Sequence, residues 1–390
     1  MFEWFLLLVV VPAAAYIGWS LGRRQRRKAD ARNTTRFSNR YFRGLNYLLN
    51  EQPDKAIEVF LKLAEVNQDT VETHFALGSL FRRRGEVDRA IRFHQNIIAK
   101  PSLNDRQRTR ALLELGEDYM RAGLLDRAER LFAELIERDA HTPSALRHLL
   151  EIYQQEKDWE LAIEIARRIE QTTGTNMGSM TAHFCCELAQ QELDKDNPEQ
   201  ARRHLRQARR YHQGHIRARM LEAAMAEQHG QYQDAIDGLR KVVELQPGFL
   251  PEVLPELIRN LELAGKGKKI RPLLEQYVAE NSGVSAMTAL AGIIHADDGA
   301  PAATEFMLDQ LQIRPSVRGL QYLLKVADEQ SDPASDRYSG IFEGLADNIL
   351  KKEALYRCEN CGFGGHQHHW QCPSCRHWDS TGRIRGVTGE

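Results

Sequence analysis

The sequence is poor in cysteine, in proline and in net charge, and each shortage narrows what the chain can be. Six cysteines in 390 residues do not make the disulfide framework of a small secreted domain, and a chain this long buries a core without covalent staples. Thirteen prolines and 27 glycines leave long stretches free of helix breakers. With 27% charged residues, that composition reads as a helical, well-solvated surface. The 53 basic and 54 acidic side chains cancel to a formal charge of −1, which excludes a uniformly basic surface, so no nucleic-acid partner is expected.

One segment lacks charge altogether. Residues 4–22, WFLLLVVVPAAAYIGWSLG, are long enough at about 1.5 Å per residue to cross a hydrocarbon core of about 30 Å. Aromatic residues gather toward its ends, with Trp4 and Trp19 as interface anchors. A cleaved signal peptide is the competing reading, but it requires a basic start where this chain has Glu3. The basic run follows instead, with Arg23, Arg24, Arg26, Arg27, Lys28 and Arg32. The positive-inside rule then places the N-terminus outside and the rest of the chain in the cytoplasm. Residues 1–22 are expected to be a transmembrane anchor and residues 23–36 a basic juxtamembrane linker.

Beyond the linker the sequence repeats. Gly44, Gly78, Gly116 and Leu150 fall in register, spaced 34, 38 and 34 residues apart. Three residues after each come Tyr47, Phe81, Tyr119 and Tyr153, and twelve after each come Ala56, Ala90, Ala128 and Ala162. Small residues at the Gly and Ala positions let two helices approach closely, and the aromatics fill the space between neighbours. This resembles the tetratricopeptide repeat, a helix-turn-helix unit of about 34 residues. Gly85 and Gly123 are placed to turn the chain between helices. Weaker copies keep Ala201 and Leu205, then Ala223, Gly230 and Ala235, with Pro247 and Pro315 closing units. The expected fold is all-α: a superhelical solenoid of about eight repeats over 37–316, capping helices over 317–353, and a small C-terminal module over 354–390.

A repeat solenoid presents an extended concave surface and binds other proteins by default. The first helix of each unit faces inward, which nominates Phe75, Ser79, Arg82, Arg83, Arg110, Leu113, Met120, Arg121 and Arg147 as a protein-binding groove. Arginines with apolar neighbours suit an acidic or mixed segment; an ordinary solvated helix face is the alternative. The adjacent Cys185 and Cys186 read as small core residues. No catalytic residue is nominated anywhere in the chain.

The other four cysteines form two pairs, Cys358-x2-Cys361 and Cys372-x2-Cys375, ten residues apart. Cytoplasmic thiols stay reduced, so the pairs point to metal rather than to disulfides. Each pair makes a knuckle, with Gly362 permissive after the first and Pro373 stiffening the second. Together they form a tetrahedral four-thiolate site for one metal ion, zinc or iron, with no open position for hydrolytic chemistry. His366, His368, His369 and His377 are expected at the surface, since four thiolates already complete the ligand set. A module this small has almost no core and folds only with its metal.

Anchor, basic flank, repeats and paired knuckles in that order resemble the lipopolysaccharide assembly protein B family over essentially the full length. Much of the resemblance lies in YRCENCGF and WQCPSCRHWDS. It implies a non-enzymatic adaptor at the inner membrane of bacteria with an outer membrane, N-terminus periplasmic, repeats and metal module cytoplasmic. It implies partners in the membrane protease FtsH, the deacetylase that commits precursors to lipid A, and proteins of lipopolysaccharide synthesis and transport, with a homo-oligomer left open. It also implies a rubredoxin-like tail whose ligands are Cys358, Cys361, Cys372 and Cys375. The short spacer between the pairs argues against electron transfer and for a structural clip. A rubredoxin-type redox protein docked through its repeats, or an adaptor of another envelope pathway, are the alternatives.

Overall fold

The computed structural model describes residues 42–44, 46–47, 52–66, 71–280, 283–328 and 336–390. The expected anchor and linker, with Trp4, Trp19, Arg23 and Arg24, lie outside these residues. Among the described residues no helix is long and apolar enough to cross a membrane. The chain divides into two compact units at Thr175 and Asn176.

The first unit stacks helix hairpins. Helix α1 (Pro53–Val66) is followed by the pairs α2 (Val71–Arg84) with α3 (Val87–Ile98), α4 (Asp105–Arg121) with α5 (Leu125–Glu137), and α6 (Thr142–Glu156) with α7 (Trp159–Thr173). The aligned glycines have a steric cause. A Cβ on Gly44 would lie 2.6 Å from the Phe60 ring, on Gly78 2.4 Å from His94, and on Gly116 2.6 Å from Phe132. At each of these three glycines the second helix therefore drives a ring into the first, whereas the third pair sets Leu150 in the glycine position and Ala166 in the ring position; the partner alanines Ala56, Ala90, Ala128 and Ala162 are fully buried. The turn within each pair needs a left-handed residue, supplied by Gly85 (φ +85°) and Gly123 (φ +74°), and in the third pair by Lys157 (φ +59°). The longer second step accommodates a loop that ends in a capping box. Asn104 accepts from the Gln107 N–H at 2.8 Å, and Gln107 accepts from the Asn104 N–H at 3.3 Å.

The second unit continues the pattern: α8 (Gly178–Asp194) with α9 (Pro198–Tyr211), α10 (Ile216–Gln228) with α11 (Tyr232–Leu245), α12 (Leu250–Leu263) with α13 (Ile270–Ala279), α14 (Val284–Asp298) with α15 (Ala300–Ile313), and α16 (Val317–Asp328) with α17 (Asp336–Lys352). Its core runs through Leu239, Val242, Leu250, Val253, Leu257, Leu274, Ala286 and Leu290. Burying apolar side chains of this kind contributes about 1.5–3 kcal/mol each before the entropy of ordering them is subtracted. Cys185 and Cys186 are fully buried in α8, and burial pushes both thiols up to about 12, so they act as small apolar fillers.

A three-stranded antiparallel sheet closes the unit. Strands β1 (Tyr356–Cys358), β2 (Gly364–Gly365) and β3 (Thr381–Arg383) are ordered β2-β1-β3, pairing Tyr356 with Gly365 and Cys358 with Thr381.

Candidate metal centre and its seat on the repeats

The two cysteine pairs build matching knuckles. In the first, the Gly362 N–H donates to the Cys358 carbonyl at 2.9 Å; in the second, the Arg376 N–H donates to the Cys372 carbonyl at 2.8 Å. Both closing residues are left-handed, Gly362 at φ +78° and Arg376 at φ +58°. Backbone N–H groups of Asn360 and Cys361 bond the Cys358 sulfur, and those of Ser374 and Cys375 bond the Cys372 sulfur. Strand pairing of Cys358 with Thr381 and the Gln371–Trp378 bridge hold the knuckles face to face.

The sulfurs converge. Cys358 Sγ lies 3.7 Å from Cys375 Sγ, and Cys361 Sγ lies 3.7 Å from Cys372 Sγ; all four are within 4.8 Å of one another. A tetrahedral ion with metal–sulfur bonds of about 2.3 Å requires sulfur–sulfur edges of about 3.8 Å, so the ligand set fits. Cys358 and Cys372 are buried, Cys375 is half-buried and Cys361 is exposed. The Ser380 hydroxyl, 3.4 Å from Cys358 Sγ, lowers that thiol. The Asn360 amide and the His377 N–H hold Cys375 down to about 6, while burial pushes Cys372 up to about 11. Ionising all four together therefore falls to the metal.

The module is seated on the repeats of its own unit. Trp370 stacks on Phe249, with ring centroids 5.4 Å apart, and His368 meets Phe249 edge-on at 5.2 Å. His368 is thus not the surface residue expected; it is half-buried among Phe249, Tyr356 and Trp370, and burial lowers its pKa. His369 is half-buried as well, and of the four histidines expected at the surface His366 and His377 are exposed. Glu252 at the start of α12 accepts from Tyr356 Oη at 2.7 Å and from Arg383 Nε at 2.8 Å. Asp379 accepts from Ser179 Oγ at 2.9 Å and lies 2.6 Å from His183 Nε2 on α8. The Glu390 carboxylate receives the Ser285 N–H at 3.1 Å, and the Val317 N–H donates to the Val387 carbonyl at 2.8 Å. The tail thus touches the N-terminal parts of α8, α12, α14 and α16. Asp379, Glu252 and Glu390 place carboxylates where free backbone N–H groups and the helix dipole favour them.

The nominated groove residues lie in the first unit and are only partly accessible. Phe75 is 1% exposed, packed with Val71, Ile97 and Ala111, and lies beneath the Arg110 guanidinium. Arg82 is consumed by three carboxylates, at 2.7 Å each from Glu114, Glu117 and Asp118, while Ser79 donates to Glu114 at 3.0 Å. Burial opposes its charge, but these carboxylates still hold the Arg82 pKa above its ordinary value. Phe75 and Arg82 are therefore internal ties, a correction to the expected row of free groove side chains. Arg83, Arg110, Arg121 and Arg147 are exposed, and Leu113 and Met120 are half-buried.

Comparison with known proteins accounts for both halves. The family described as rubredoxin metal binding domain matches residues 356–381, and tetratricopeptide repeat families match 73–107, 113–176 and 186–248. Lipopolysaccharide assembly protein B of Escherichia coli strain K12 is 35% identical over 385 residues, covering 98% of this chain and 99% of its own. The chain belongs to the lipopolysaccharide assembly protein B family. The Haemophilus influenzae protein of the same name is 33% identical over 389 residues, covering 96% of this chain and 97% of its own.

In this family member the sequence pattern missed the residues that join tail to repeats. Asp379, Arg383 and Glu390 are single charges in a non-periodic segment, and their partners lie about 100 to 200 residues away. Trp370 and the neighbouring histidines, apolar or aromatic-edged groups in a coreless module, were the sequence's candidates for a contact, and of these Trp370 and His368 meet Phe249.

Proposed function

We propose that this chain is a non-enzymatic scaffold of lipopolysaccharide assembly. Residues 1–22 tether it to the inner membrane with the N-terminus periplasmic, and the repeats and metal module work in the cytoplasm. Its finer task is to present the deacetylase that commits precursors to lipid A to the membrane protease FtsH, and to couple synthesis to transport. Tethering raises the effective concentration of client beside protease without adding a contact.

The observation that carries this reading is the seat of the ribbon. A closed four-thiolate site is spent on holding a tail across the starts of successive repeat helices, which is the work of a clip. Cys358, Cys361, Cys372 and Cys375 would hold one zinc or iron ion, which when bound supplies the cross-link between the knuckles. The Asn360, Cys361, Ser374 and Cys375 amides orient the sulfurs toward it.

The test is replacement of the Escherichia coli relative by this chain, at native abundance, with the half-life of the deacetylase and the lipopolysaccharide content as readouts. The intact chain should restore both, and the chain lacking residues 1–22 should restore neither while still binding its client. Normal deacetylase turnover with the truncated chain would sink the tether. A rubredoxin-type electron carrier is the second reading, favoured by the exposure of Cys361. A reversible iron chromophore in anaerobically purified protein would establish it, and colourless zinc would remove it.

A further inference from the structure

Helix α9 concentrates positive charge in a chain whose formal charge is −1. Its 14 residues hold Arg202, Arg203, Arg206, Arg209 and Arg210 against a single acid, Glu199. Arg206 has the other four arginines three or four positions away, where side chains on a helix meet and like charges destabilise it. Arg202 is paired with Glu199 at 2.7 Å and Arg209 with Glu222 at 3.4 Å. Arg203, Arg206 and Arg210 are exposed, and among the described residues no carboxylate pairs with them.

These three guanidinium groups border one place. With Gln207 and Tyr211 they line a surface hollow of about 500 Å³, within the range of about 300–1,000 Å³ that small-molecule sites occupy. Every lining side chain offers a hydrogen-bond donor and none is a carboxylate. The adjoining hollow of about 220 Å³, which shares Arg206, is bordered by Glu222 instead. Elsewhere in this unit close acids tie down Arg217, Arg259 and Arg383, through Glu187, Glu227 and Glu252. Uncompensated repulsion confined to one donor-lined hollow focuses a positive potential there.

We propose that the α9 hollow binds a phosphate-bearing anion of at least two negative charges through Arg203, Arg206 and Arg210. Guanidinium forks match phosphate oxygens in pairs, and a phosphate monoester gathers a charge of about −1.5 to −2 and three strong acceptors at one point. A carboxylate brings one charge, so three forks around one hollow favour phosphate over a single acidic side chain. The bound anion replaces the repulsion around Arg206 with charge-assisted hydrogen bonds. The site uses no residue of the ribbon or of its seat.

The test is calorimetric titration of the full chain in nonionic detergent with sodium pyrophosphate at fixed ionic strength. The intact chain should bind one equivalent, and sulfate at least tenfold more weakly. Arg206→Gln should weaken pyrophosphate at least tenfold, and Arg203→Gln with Arg210→Gln at least as much; glutamine is a good helix former, so the variants retain α9. Arg240→Gln, which removes the same charge from α11, should change the affinity less than twofold. In phosphatidylcholine nanodiscs, competition by added phosphatidic acid would identify a lipid headgroup as the phosphate source, and undiminished pyrophosphate binding a soluble phosphate compound. No pyrophosphate binding, equal binding of sulfate, an equal loss in Arg240→Gln, or tighter binding of a glutamate-rich peptide would overturn the site.

Discussion

Trp370 lies nearly flat on Phe249, 11° between ring planes and 5.4 Å between centroids. The indole comes from the loop between the two cysteine pairs, and the phenyl from the turn leading into α12. Metal binding that closes the knuckles therefore also fixes the ring that seats the ribbon. Stacked aromatic pairs contribute about 0.5–1.5 kcal/mol beyond the area they bury. A double-mutant cycle on Trp370→Ala and Phe249→Ala, read by chemical denaturation of the metal-loaded chain, should return a coupling of that size. A coupling near zero would mean the stack seats nothing.

Metal removal should separate the two layers of the fold. The ribbon has almost no core, whereas the helix pairs bury their own. Chelation should leave far-ultraviolet helicity nearly intact while Trp370 and Trp378 become solvated and their emission shifts to the red. Equal loss of both signals would show that the repeats also depend on the metal.

Much of this architecture was legible because it repeats. Gly44, Gly78 and Gly116 recur because a ring from the paired helix occupies the space of their missing Cβ, so steric need is written as periodicity. The knuckles were legible for a similar reason, since two thiolates on one ion demand a fixed spacing. The seat was not legible, because Glu252 meeting Arg383 is one pair across 131 residues, and a single pair leaves no period. Nor did the sequence distinguish a free arginine from a neutralised one at Arg82, since the neutralising acids belong to the next repeat.

Acid should loosen the second unit. His183 and His215 have folded pKa values below their ordinary 6.5, from burial first. Below about pH 6.5 the unfolded chain binds protons that these buried rings refuse. Their contribution to stability is thus whole above the unfolded value and is lost as pH falls toward the folded value, about 3 for His215. The stability of the unit, read by denaturation, should fall between pH 6.5 and 4 by up to about 1.4 kcal/mol per pH unit for His215, with His183 adding a loss in the same direction. His215→Asn, which retains a helix cap, should flatten the slope, and an unchanged slope would refute the assignment.

The Arg82 tie should be costly to cut. Arg82→Ala leaves Glu114, Glu117 and Asp118 facing one another, with Asp118 fully buried, and breaking a pair of this kind costs about 3 kcal/mol or more. Arg82→Lys should recover only part, because an ammonium cannot reach three carboxylates as a planar fork does. Denaturation of residues 42–175 in the intact chain measures both; a loss below about 1 kcal/mol for Arg82→Ala would show that the network is mere surface charge.

Glycine placement yields the last contrast. Gly116→Ala puts a methyl group 2.6 Å from the Phe132 ring, which is itself fully buried, and overpacking of that kind costs about 1–3 kcal/mol. Gly85→Ala meets nothing within 4 Å but must hold φ at +85°, a backbone penalty of about 1–2 kcal/mol. Lys157→Gly and Arg376→Gly reverse the second effect, since both residues already sit at left-handed angles. Each should raise stability by several tenths of a kcal/mol, discounted by the freedom glycine adds to the unfolded chain. Adding Phe132→Leu should rescue Gly116→Ala and leave Gly85→Ala unchanged. Thermal denaturation of the six variants separates the two causes, and rescue of both by Phe132→Leu would show that packing alone explains the glycine pattern.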